Sequence, residues 1–140
     1  MANLFMIKNL KELFPNYVVM IKIGTFYEVY YADAYIISYL LGYKLKTLNG
    51  DVRNCGFPTV SLNKVLYILD NKKINYLVVD KSDNYAELNK NNFKNKNKYI
   101  EIYEMCKEEI DLKLRIEKIY KYLLNNKNKV KQIEEILYEQ

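Results

Sequence analysis

The side chains that usually carry chemistry are scarce in this chain. Histidine is absent, and the two cysteines, Cys55 and Cys106, stand far apart in unlike surroundings. Two lone cysteines without histidine make no zinc motif, and acid–base or metal-assisted hydrolysis has little to work with. Cys55 beside Gly56 has the look of a nucleophile, but no imidazole exists to activate it. A buried structural thiol is the better reading. No Walker motif and no phosphate-cradling glycine loop is present. These residues predict a protein that is not an enzyme and needs no cofactor or metal.

What remains is aromatic and charged. The chain of 140 residues carries fifteen tyrosines and five phenylalanines, with 22 Lys+Arg against 17 Asp+Glu. Its net charge of +5 fits a nucleic-acid partner without specifying one. Lys, Asn, Ile and Tyr share A/T-rich codons, so base composition alone can supply some of this basicity. The excess is localised. Residues 1–85 hold ten basic and seven acidic residues, 86–98 four and one, and 99–140 eight and nine. Half the residues are hydrophobic, which suits a packed core. The first residues include Glu12 and several lysines and read as no signal peptide. No apolar run reaches membrane-spanning length. With reduced-type cysteine usage, the expected location is cytoplasmic.

The elements follow from periodicity. Leu4, Met6, Ile7, Leu10, Leu13 and Phe14 recur at helical spacing behind Asn3, a cap candidate, and Pro15 stops them. Tyr17 to Ile23 is β-branched and aromatic and predicts a buried strand. Gly24 then offers a backbone conformation closed to other residues. Phe26 to Tyr31 predicts a second short strand, with Phe26, Glu28 and Tyr30 on one face. Asp33 is expected to cap a helix over residues 34–42 that ends at Gly42. Residues 43–48 predict a strand, Asn49-Gly50-Asp51 a hairpin turn, and 52–55 the return strand. Cys55-Gly56-Phe57-Pro58 reads as a backbone feature before a helix over 61–72, capped by Thr59 or Ser61. Ile74 to Asp80 is a further strand.

Residues 83–98 lose periodicity and read as an Asn/Lys-rich linker. Residues 99–124 predict one long helix, NNKNK at 125–129 a break, and Val130, Ile133 and Leu137 a shorter helix. The expected class is α/β: a small mixed sheet flanked by helices over residues 1–82, the linker, and a C-terminal helical hairpin over 99–140. Leu112, Ile116, Ile119 and Leu123 form a narrow stripe with charged flanks, expected to bind a partner or drive self-association.

YVVMIKIGTFYEVYYADAYIISYLLGYKL, then NCGFPTVSLNKVLYIL, then INYLVVD, resembles the N-terminal mismatch-recognition domain of the MutS family. Four features occur in the family's order over about residues 4–82. The resemblance implies that Phe26 stacks on a mispaired base from the minor groove and that Glu28 hydrogen-bonds it. Gly24 would let the backbone approach the duplex. Lys22, Lys44, Lys46, Arg53 and Lys64 are candidates for contacts to phosphate. The implied partner is mismatched, distorted or unpaired DNA or RNA. Departures from the family pattern are Thr25 in place of an Asp, Thr59-Val60 in place of Tyr-His, and Val79-Asp80-Lys81 in place of Cys-Glu-Gln. The family's connector, lever, clamp and ATPase domains have no counterpart in the sequence. By size and architecture the chain also resembles small stand-alone MutS-like accessory proteins found beside reverse transcriptases in diversity-generating retroelements. That likeness implies an adaptor whose partner is the polymerase or its RNA.

Overall fold

The computed structural model describes residues 2–48 and 52–139. The expected hairpin turn Asn49-Gly50-Asp51 lies outside them. Contacts divide the chain into two units, residues 1–107 and 108–140.

The first unit is built on a six-stranded mixed sheet. Helix α1 (Leu4–Leu13) leads into β1 (Val18–Ile23) and β2 (Phe26–Tyr30), then helix α2 (Ala32–Leu41). Strands β3 (Lys46–Leu48) and β4 (Val52–Pro58) follow, then helix α3 (Leu62–Asn71), β5 (Tyr76–Asp80) and β6 (Ala86–Lys90). The strand order is β3-β4-β2-β1-β5-β6. Strand β1 pairs parallel with β5, and all other pairings are antiparallel.

Period-two alternation sends alternate residues to two apolar clusters. Val18, Met20, Tyr27, Val29, Cys55, Phe57, Tyr76 and Val78 face α2, α3 and the start of helix α4 (Tyr99–Asn125). Val19, Ile21, Tyr30, Leu77 and Val79 pack with Ile7 of α1. The sheet is therefore covered on one face by several helices and on the other by α1. A fully buried Ile or Phe of this kind contributes roughly 1.5–3 kcal/mol.

Local signals account for several ends. Asn3 caps α1, its side chain accepting from the Phe5 N–H at 2.9 Å. Gly42 closes α2 at φ +82°, and Gly24 takes φ +61° in the β1–β2 turn. Asp33 departs from expectation. The α2 cap position belongs to Tyr31, at φ 56° and ψ −134°, with no side-chain cap bond. Asp33 sits inside the first turn and is buried. It accepts from the Val19 N–H at 3.0 Å, Lys11 Nζ at 2.9 Å and the Tyr99 hydroxyl at 2.5 Å. A carboxylate with three donors converging on it from β1, α1 and α4 joins elements; it is not free to turn back on its own helix. Cys55-Gly56-Phe57-Pro58, expected as a backbone feature between the return strand at 52–55 and the next helix, is itself strand, because β4 continues its pairing with β2 as far as Pro58 opposite Phe26.

The stretch expected as a linker is part of the α/β unit. Residues 86–90 form edge strand β6, and Lys90 Nζ lies 5.4 Å from the centre of the Phe14 ring. Beyond β6, asparagine amides do the work of a ladder. Asn75 Oδ1 accepts from Phe93 N–H, Asn91 Oδ1 from Tyr76 N–H, and Asn97 Oδ1 from Asn75 and Tyr99 N–H. Tyr99 and Cys106, from the first two turns of α4, complete the helical-side core. The domain edge expected at residue 82 therefore falls near 107.

In the second unit, α4 continues to Asn125, and α5 (Lys127–Tyr138) follows after a break confined to Asn126. Leu112, Ile116 and Ile119 are 45–55% exposed, Leu123 is partly exposed, and α5 buries no residue. No helix among the described residues is long and apolar enough to cross a membrane.

Candidate nucleic-acid interface

Phe26 opens β2 immediately after the Gly24-Thr25 turn. Its Cα pairs with Ile23 on one side and Pro58 on the other. Phe26 is 52% exposed, whereas its neighbour Tyr27 is 5% exposed. Tyr27 is held inward by stacking on Phe57 at 5.5 Å, and Phe57 stacks on Tyr43 at the same distance. Burial pushes the Tyr27 hydroxyl above its ordinary value, with Asp80 adding to the effect. This aromatic stack sets the register: with Tyr27 anchored in the helical-side core, Phe26 must emerge on the other face.

Glu28 lies on the face of Phe26, opposite Ile21 and Gly56. It is half-buried. The buried Tyr30 hydroxyl donates to its Oε2, and the Tyr30 oxygen accepts from the Ala2 N–H at 3.4 Å. Burial, and then the bond to Glu28, hold the Tyr30 hydroxyl far above its ordinary value. Gly56 presents no side chain beside Glu28; a Cβ there would meet the Tyr27 carbonyl at 3.4 Å. Asn54 pairs with Tyr30, and its buried Oδ1 has no hydrogen-bond partner among the described residues.

The basic candidates divide. Lys46 pairs with Asn54 and so shares the face of Phe26 and Glu28; Lys44, exposed, precedes it. Lys22 pairs with Tyr27 and Asp80, which places it on the opposite face. Arg53 pairs with Thr47, also on the opposite face, and its Nη1 donates to Thr47 Oγ1 at 2.5 Å. Lys64 is exposed on α3, a helix that packs on the Tyr27 side. Gly24 is exposed at the turn beside Phe26, and the space around it is open.

Neither thiol is poised for reaction. Burial raises both Cys55 and Cys106 to about 11. Sequence reasoning placed Tyr30 on the face of Phe26 and Glu28 without giving it a role, and did not single out Val60. Tyr30 shares the parity of Phe26 and Glu28, a signal already visible in the alternation. Val60 is 90% exposed in the turn after β4, tied to the Phe26 loop by Thr59 N–H donating to the Thr25 carbonyl at 2.9 Å.

The site thus sets an exposed Phe26 and a half-buried Glu28 on one face of an antiparallel strand in an α/β domain. The family model MutS domain I matches residues 5–110, and the chain belongs to that family, relating it to the mismatch-recognition domain. The match runs through β6 and into α4, as the core does. A search of curated proteins finds no match.

Proposed function

We propose that this chain is a non-enzymatic nucleic-acid-binding protein that probes mismatched, distorted or unpaired bases with Phe26 and Glu28. The supporting observation is the ring of Phe26, half exposed at a strand start while the adjacent Tyr27 is buried. An aromatic wedge costs unstacking energy, least at a base that is already poorly paired, so it favours mismatched sites. Stacking of one base is worth about 1–3 kcal/mol. Glu28, two positions along the same face, supplies the polar contact. Lys44 and Lys46 serve the backbone on that face, while Lys22, Arg53 and Lys64 could reach phosphate only around the edge or from the far side.

The test is binding of the full chain to a matched duplex and one with a single G·T mismatch, at two salt concentrations. The expected result is a mismatch preference that Phe26→Ala abolishes. An unchanged preference removes the wedge.

The exposed stripe Leu112, Ile116, Ile119 and Leu123 favours a second reading, an accessory factor docking on another protein such as a reverse transcriptase, or on its own copy. Charged replacements at Ile116 and Ile119 should then abolish association and leave the α/β unit folded.

A further inference from the structure

We infer that Tyr30 is a positioning residue that fixes the Glu28 carboxylate on the ligand-facing side of the sheet. The inference rests on the reading of Glu28 as a base contact. Tyr30 is 2% exposed, and a buried phenol needs a partner for its proton. Ala2 N–H donates to its oxygen, so the hydroxyl proton is left for an acceptor, and that acceptor is Glu28 Oε2. The ring is locked by its apolar surroundings, Ile7, Val19, Ile21 and Leu77. One end of a flexible glutamate is thereby tied to a rigid group of the core, and its second oxygen has no hydrogen bond among the described residues.

Side chains ordered before binding lose less entropy on binding, so a tethered carboxylate recognises its base more strongly than a free one. The tether also joins the site to the segment preceding α1. Asn3 N–H donates to the Tyr85 hydroxyl at 3.2 Å, so two tyrosines hold that segment against the Glu28 side of the sheet. A purely structural role for Tyr30 would be to anchor residue 2; a positioning role acts through Glu28 alone.

The experiment separates them. Mismatch preference is measured on fluorescein-labelled G·T and matched duplexes for the full chain, Tyr30→Phe, Glu28→Ala and the double variant. Tyr30→Phe keeps the ring and removes only the hydroxyl. It should lower the preference about 3- to 10-fold, the scale of the typical net contribution of one hydrogen bond. In the Glu28→Ala background it should cause no further loss. In the free protein, the carboxyl-carbon NMR resonance of Glu28 should move in Tyr30→Phe. An equal loss in both backgrounds overturns the inference in favour of a structural role. So does an unmoved Glu28 resonance, or an intact preference in Tyr30→Phe when Glu28→Ala has lost it. Phe26→Ala is run alongside: if neither it nor Glu28→Ala alters the preference, the underlying reading fails and the positioning role falls with it.

Discussion

Phe26 is available at the surface because Tyr27 is not. The stack of Tyr27 on Phe57 fixes which face each residue of β2 takes, and the exposed ring is its consequence. Removing that stack should therefore damage recognition indirectly. Tyr27→Ala is expected to cost about 3–5 kcal/mol of stability, as large aromatic truncations in a core do, and chemical denaturation checks it. The two thiols give a prediction of opposite kind. Buried, with pKa values of about 11, Cys55 and Cys106 should stay unmodified by a thiol-reactive disulfide in the native protein at neutral pH. Both should react once denaturant is added. The expectation of structural cysteines was available from the missing histidine; that of Tyr30 as a partner for Glu28 was not, because it depends on a buried hydroxyl finding its acceptor.

At the scale of elements, Asp33 does most to join the parts of the first unit. Its donors come from β1, α1 and α4, and Tyr99 lies 66 residues away in sequence. Such a partnership is invisible to local patterning, which saw only an acid before an apolar run and made it a cap. Asp33→Ala removes the side-chain acceptor of the Tyr99 hydroxyl and the Val19 N–H and leaves Lys11 Nζ with the Tyr17 carbonyl but no counter-charge. It should destabilise the unit by about 3–5 kcal/mol in denaturant unfolding, the scale for breaking a buried ion pair from one side. The pH dependence has a definite sign. Burial raises the Asp33 carboxyl above its ordinary 3.8, against the pull of Lys11 and the bonds from Tyr99 and Val19. The folded state then binds more protons than the unfolded one, so this group's contribution is full below 3.8 and is lost as pH rises through the raised value. Relative to Asp33→Asn, the natural protein should therefore lose stability over that rising window, as paired melting curves would read it.

The sheet was largely legible, and the reasons differ by strand. β1, β2 and β5 are dense in β-branched and aromatic residues, and Asn3 and Gly42 punctuate helices as their chemistry requires. Strand β6, AELNK, is polar because it is an edge with four of its five residues exposed, so composition made it look like spacer. The segment after it is held by Asn75, Asn91 and Asn97 side chains in place of a backbone ladder, which leaves no periodic trace. A cut after residue 90 should accordingly unfold the α/β unit, since it removes Tyr99, Cys106 and the Asn97 bonds. A cut after residue 110 should spare it; circular dichroism melts of the two fragments decide.

For the whole molecule, the family match relates the α/β unit to the mismatch-recognition domain, and the net positive charge sits on the first unit, not on the charge-balanced C-terminal helices. If the proposed phosphate contacts are Lys46 on the Phe26 face and Lys44 just before it, the salt dependence of binding should be shallow, a slope of roughly −2 in a log–log plot. A lobe of this size presents a small interface, so affinity should be modest. The central claim is that Phe26 enters the base stack. A duplex carrying the fluorescent base 2-aminopurine at a mismatch reads stacking directly. On addition of the natural chain its fluorescence should change well beyond that of the matched duplex, and Phe26→Ala should abolish the difference while preserving the fold. An equal change with Phe26→Ala, or the same response from matched and mismatched duplexes, would contradict the account.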